Sequence, residues 1–215
     1  MLSLSPQQEE KAKEIHSKSL VLDCHSDLPL DVARRRLRGE NKVIERLHAP
    51  KWKIGGINAG VVSVWMDDFS LAEGAVEPPS SIALRTIGLM HSEFAESDGI
   101  ILQAKTAGEI IEAKKRGKIA LIYCFEGTAA FDTNVSYVYP FHQLGVRLVT
   151  LTWNNRNLVA NGCMERTDCG LSEFGIELVE ELNKNNILID LSHISSAGFY
   201  EVLQLSKDPP ICSHS

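Results

Sequence analysis

Short apolar runs recur along this chain with segments of helical period between them, and that alternation restricts it to a parallel α/β architecture. The runs at residues 20–24, 59–65, 119–125, 146–152, 187–191 and 211–212 read as six strands. Helical spacing fills 6–19, 82–94, 106–115, 171–182 and 196–205. Pro6 follows Ser5 at the favoured first helical position, and Thr106 with Glu109 makes a capping-box pattern. Leu171, Phe174, Leu178, Val179 and Leu182 mark one face of an amphipathic helix. Strands alternating with helices imply right-handed crossovers, hence an open doubly wound sheet or a barrel; periodicity alone does not choose. The stretches 39–56 and 67–80 read as loops inserted after strands.

Chemistry collects where the runs end. His25-Ser26-Asp27 follows the first, Glu126 the third, His193 the fifth and His214 the sixth. A parallel sheet presents all its carboxyl ends on one side, where such folds place their sites. His25 and Asp27 are two apart, so their side chains share a face if strand geometry continues through them. Imidazole with carboxylate suits zinc, other divalent first-row metals being possible. A carboxylate such as Glu126 has two oxygens and can bridge two ions, and five ligands are generous for one zinc. Taken singly, Glu126 reads as a cap or ion-pair partner, and His193 and His214 as hydrogen-bonded core histidines; convergence is the argument for ligation. Asp23 and Asp190 either orient these histidines or cap loops. Asp67 and Asp68 follow the second strand without a feature that raises them above coincidence. His16, His48, His91 and His142 lack comparable context.

At 215 residues one domain, 1–215, is expected. A net charge of -6 argues against a nucleic-acid partner, and Arg34, Arg35, Arg36 and Arg38 read as a solvated helix face. The first twenty residues lack the apolar stretch of a secretory signal, and no run reaches membrane-spanning length, so a cytoplasmic protein with no membrane partner is expected. Five cysteines, at 24, 124, 163, 169 and 212, suit a reducing compartment, with Cys24, Cys124 and Cys212 acting as small buried hydrophobes.

The segments Asp23-Cys24-His25-Ser26-Asp27, Glu126-Gly127, Gly170-Leu171-Ser172-Glu173-Phe174-Gly175, Asp190-Leu191-Ser192-His193-Ile194-Ser195 and Ser213-His214-Ser215 together resemble the renal (membrane) dipeptidase family, from about residue 20 onward. The resemblance implies a TIM-type (β/α)8 barrel, here expected to be truncated after its sixth strand. It implies hydrolysis of a dipeptide with two zinc ions: His25 and Asp27 on one, His193 and His214 on the other, Glu126 bridging as the catalytic carboxylate, and a hydroxide held between the ions as nucleophile. A late Asp that would protonate the leaving amine and an Arg for the substrate carboxylate have no counterpart. Completion by a homo-oligomer or a complementing C-terminal chain is therefore an expectation. Trp153 stands where some relatives carry a substrate-contacting His, which makes it the candidate substrate-binding residue. Two other readings stay open: a non-catalytic fragment or pseudoenzyme that holds metal, and another amidohydrolase, a deaminase or phosphotriesterase-like enzyme, although those usually open with His-x-His.

Overall fold

The computed structural model describes residues 4–66 and 77–215, so Asp67 and Asp68 lie outside the described residues. Helix α1 (Pro6–Lys18) begins with a reciprocal cap: Ser5 accepts the Gln8 N–H, and the Gln8 side chain accepts the Ser5 N–H. Two donors that a helix start leaves open are thereby satisfied. Next come β1 (Leu22–Ser26), α2 (Leu28–Arg36), a π-helical turn (Ile44–His48) continuing into α3 (Ala49–Ile54), and β2 (Ala59–Trp65). Then follow α4 (Pro79–Glu96), β3 (Ile101–Gln103), α5 (Ala107–Lys115) and β4 (Ile119–Glu126). Two 3-10 turns lead to α6 (Val138–Leu144) and β5 (Val146–Thr150), and a long loop leads to α7 (Glu173–Lys184), β6 (Leu188–Asp190) and α8 (Ser196–Leu205).

Every strand pair is parallel, and the order β1-β2-β4-β5-β6 makes an arc of a TIM-type barrel. β4 pairs with β2 along its length, from Ala59 opposite Ala120 to Trp65 opposite Glu126. Its other side is shared: β3 pairs with residues 119–121, and β5 with the end from Tyr123 to Glu126.

This strand set differs from the expected one in two places. β3 is three residues long, too short to show a period in the sequence. Ile211 forms one parallel bridge, to Asp190, in place of a sixth strand at 211–212. The stretch 39–56 is largely helical, not a loop. Cys212 is exposed, so it does not act as a buried hydrophobe, whereas Cys124 does. The arginine cluster also departs from a solvated face. Arg36 is only 12% exposed and donates to Glu93 at 2.6 Å and Glu96 at 2.7 Å, tying α2 to α4.

Side chains alternate across the strands. Val62 and Val64, Leu121, Tyr123 and Phe125, Val149 and Ile189 join the main core with Val32 of α2, Met90 of α4 and Leu178 and Leu182 of α7. The opposite, inner face carries the smaller cluster Val61, Cys124 and Leu148, with Ile122, Leu188 and Ile211 against it. Continuing that alternation toward the carboxyl ends puts Ser63, Trp65, Glu126, Thr150 and Asp190 on the inner face, at one rim of the arc.

Candidate metal centre

Glu126 ends β4 one inner-face step beyond buried Cys124 and is itself only 5% exposed. The Ser63 hydroxyl donates to its Oε2 at 3.1 Å. Three imidazoles surround the carboxylate through Nε2: His25 at 3.6 Å, His193 at 3.2 Å and His214 at 3.9 Å. One ligand atom each of His25, Glu126 and His214 lies within 4.8 Å of the others.

Each histidine is delivered by a different piece of the arc. His25 sits in β1 itself; its backbone N–H donates to the Asp23 carboxylate at 3.3 Å. His193 lies in the turn after β6, and His214 beyond the Ile211 bridge. Asp190 locks the last of these in place. Its carboxylate accepts from Thr150 Oγ1 at 2.7 Å, from the N–H and hydroxyl of Ser192, and from the N–H and hydroxyl of Ser213. Because the Ser213 hydroxyl donates its hydrogen to Asp190 at 2.6 Å, its oxygen accepts from His214 Nδ1–H at 2.8 Å. That leaves His214 Nε2 with a lone pair facing the centre. Asp190 thus orients a histidine through a serine.

Burial pushes the Glu126 carboxyl above its ordinary value, with the charge of His25 opposing. Burial first, and then the charge of His25, holds His193 and His214 below the ordinary imidazole value. The shift favours the neutral form, the one in which imidazole ligates metal.

The donor set fits a divalent cation on two counts. His193 and His214 Nε2 approach to 2.7 Å beside a buried carboxylate, which places electron-rich atoms together where a cation would relieve them. Imidazole and carboxylate are the ligand types that zinc and its first-row neighbours take. Asp27 comes to the same place by a different route from the expected one. β1 stops at Ser26, and Asp27 is the residue before α2, with no side-chain capping bond; its Oδ1 lies 3.6 Å from His25 Nε2 and its side chain is 68% exposed.

Trp153 stands beside the centre, its ring 6.4 Å from that of His193 and edge-on to Trp65 at 5.4 Å. Ser63, Trp65 and Asn154 were not singled out from the sequence. A lone serine in the otherwise apolar β2 was the available signal for Ser63. Asn154 accepts from His193 Nδ1 at 3.0 Å, a contact spanning 39 residues that no local pattern announces.

A family model described as membrane dipeptidase (peptidase family M19) matches residues 9–215. An uncharacterised dipeptidase of Schizosaccharomyces pombe is 27% identical over 226 residues, covering 96% of this chain and 54% of that protein. Dipeptidase 3 of Homo sapiens is 28% identical over 204 residues, covering 91% and 41%. The chain thus spans about half the length of the curated relatives it matches. Among solved structures, an amidohydrolase from Pseudomonas aeruginosa superposes with a TM-score of 0.72 at 29% identity, covering 94% of this chain and 55% of that one. A structure described as dipeptidase AC, a metallopeptidase of family M19, gives 0.80 at 26%, covering 91% and 63%. With a family match that begins in α1 and runs through His214, the chain belongs to the membrane dipeptidase family, peptidase family M19.

Proposed function

We propose that this chain carries the metal centre of a dipeptidase, in which His25 and Asp27 would hold one zinc ion, His193 and His214 a second, and Glu126 would serve both. The observation that carries the reading is the buried Glu126 carboxylate ringed by three imidazole Nε2 atoms from separate parts of the arc. When bound, such ions supply Lewis acidity toward a peptide carbonyl and lower the pKa of water at the site. The chain's own residues do the rest of what the rim allows. Glu126 contributes negative charge at the middle of the ligand set, steadied by the Ser63 hydroxyl. The Nδ1 hydrogen bonds of His193 and His214 to Asn154 and Ser213 leave their Nε2 lone pairs available there. Trp153 and Trp65 form an aromatic wall against which a dipeptide side chain packs, the role proposed for Trp153 in substrate binding.

Among the described residues no helix is long and apolar enough to cross a membrane, and all five cysteines are free; the cytoplasm is the compartment that this thiol content favours. The test is elemental analysis of the chain purified without chelator, with dipeptide hydrolysis measured beside a Glu126→Gln variant. Two zinc ions per chain and turnover that falls by at least about a hundredfold in the variant are expected. A chain that takes up no metal would end this reading, and metal with no turnover would leave it a metal-holding portion of an enzyme.

A further inference from the structure

We propose that Asn154 is a positioning residue that decides which ring nitrogen of His193 carries hydrogen, and that residues 162–164 form a clip built to hold the pair together. The inference rests on the metallopeptidase reading for its purpose, though not for its geometry. Asn154 Oδ1 lies 3.0 Å from His193 Nδ1. A carboxamide oxygen can only accept, so Nδ1 carries the hydrogen and the Nε2 lone pair is left facing Glu126 at 3.2 Å. The Cys163 thiol points at the same oxygen, at 3.8 Å, as a weak donor would.

His193 does not hold this pose by local preference. Its φ is +66°, a left-handed backbone that non-glycine residues seldom adopt and that surrounding contacts must impose. Those contacts come from the clip. The Cys163 N–H donates to the His193 carbonyl at 2.7 Å, the Met164 N–H donates to the Asn154 carbonyl at 3.0 Å, and Gly162 bridges to Ile194. One short segment therefore grips both the loop after β5 and the turn after β6. A Cβ at Gly162 would collide with the carbonyls of Trp153 and Asn154, so the close approach depends on glycine there. Partners that fix the tautomer and aim of a metal-ligating imidazole commonly change metal affinity by roughly 10–100-fold when removed.

The test uses the 215-residue chain with cobalt(II) as the probe, together with nitrogen NMR of the imidazoles in the metal-free protein. Asn154→Leu removes the acceptor at similar size; Asn154→Asp keeps an acceptor oxygen. In the wild type His193 is expected as the Nδ1–H tautomer. In Asn154→Leu a tautomer mixture, a changed cobalt visible spectrum and a cobalt affinity lower by roughly 10–100-fold are expected, with Asn154→Asp restoring all three. An unchanged His193 tautomer and cobalt affinity in Asn154→Leu overturn the inference. Equal loss in both variants also overturns it, since that assigns Asn154 a purely structural role. A wild type that binds no cobalt retires the metallopeptidase reading instead, and the NMR comparison still decides whether Asn154 sets the tautomer.

Discussion

Asp190 shows how much of this site is carried by residues that never face its centre. It is fully buried, and burial, the largest single influence on its carboxyl, raises its pKa; the hydrogen bonds from Ser213, Thr150 and Ser192 together outweigh that and hold it below the ordinary value. Asp190→Asn, which leaves hydroxyl donors competing for one oxygen, is expected to cost about 1–3 kcal/mol. Because the folded pKa lies below the unfolded one, near 3.9, the carboxylate's contribution is complete above that pH and disappears as pH falls through the folded value. Urea titrations should therefore show the gap between wild type and Asp190→Asn widest at neutral pH and closing below about 3.9. At this scale the sequence was legible wherever a chemical group stood at the end of an apolar run: His25, Glu126, His193 and His214 all did. It was silent on Asn154, whose partner lies 39 residues away and is set by loop closure, and for Ser63 it offered a lone serine in an apolar strand but not the partner 63 residues away that register supplies.

Between elements, the best-hidden contact is the one joining α2 to α4. Glu93 is fully buried on α4, accepts from Arg36 and also takes the Ile44 N–H at 2.8 Å, so one carboxylate anchors a helix, its neighbour and the start of the π-helical turn. Arg36→Met would strand that charge and is expected to cost about 3–5 kcal/mol, with Arg36→Met/Glu93→Gln costing less than the sum of the two single changes. Denaturant melts of the three variants measure it. Helix α7 could be read from its apolar face and α5 from its capping pair, because both signals are local. The buried side of helix α2 could not: its few apolar residues run straight into three arginines, and only the distant glutamates reveal that one of those arginines is inside.

For the molecule as a whole, the arc has two outer strands and the site reaches both. His25 comes from β1 at one side and His214 from beyond β6 at the other, with Glu126 on β4 between them. A cation held by these groups ties the sides of the sheet together, so metal should stabilise the fold. At free zinc 100-fold above the dissociation constant, the gain is about 2.7 kcal/mol. Thermal melts with zinc and with chelator check this, and Glu126→Gln should lose the increment. Parallel topology was legible from the alternation of runs, whereas the attachment of β3 to the lower half of β4 was not, since three residues cannot advertise a neighbour. That shared strand has a consequence in time. β1 with β2, and β5 with β6, can pair locally, but among the described residues the strand pairing that joins the two halves runs through β4. Leu121→Ala in β4 is therefore expected to slow refolding, and Ile189→Ala in β6 mainly to hasten unfolding, a contrast stopped-flow kinetics can read. The strand that carries Glu126 is then also the clock of assembly: until it is laid down, the histidines belong to two separate fragments.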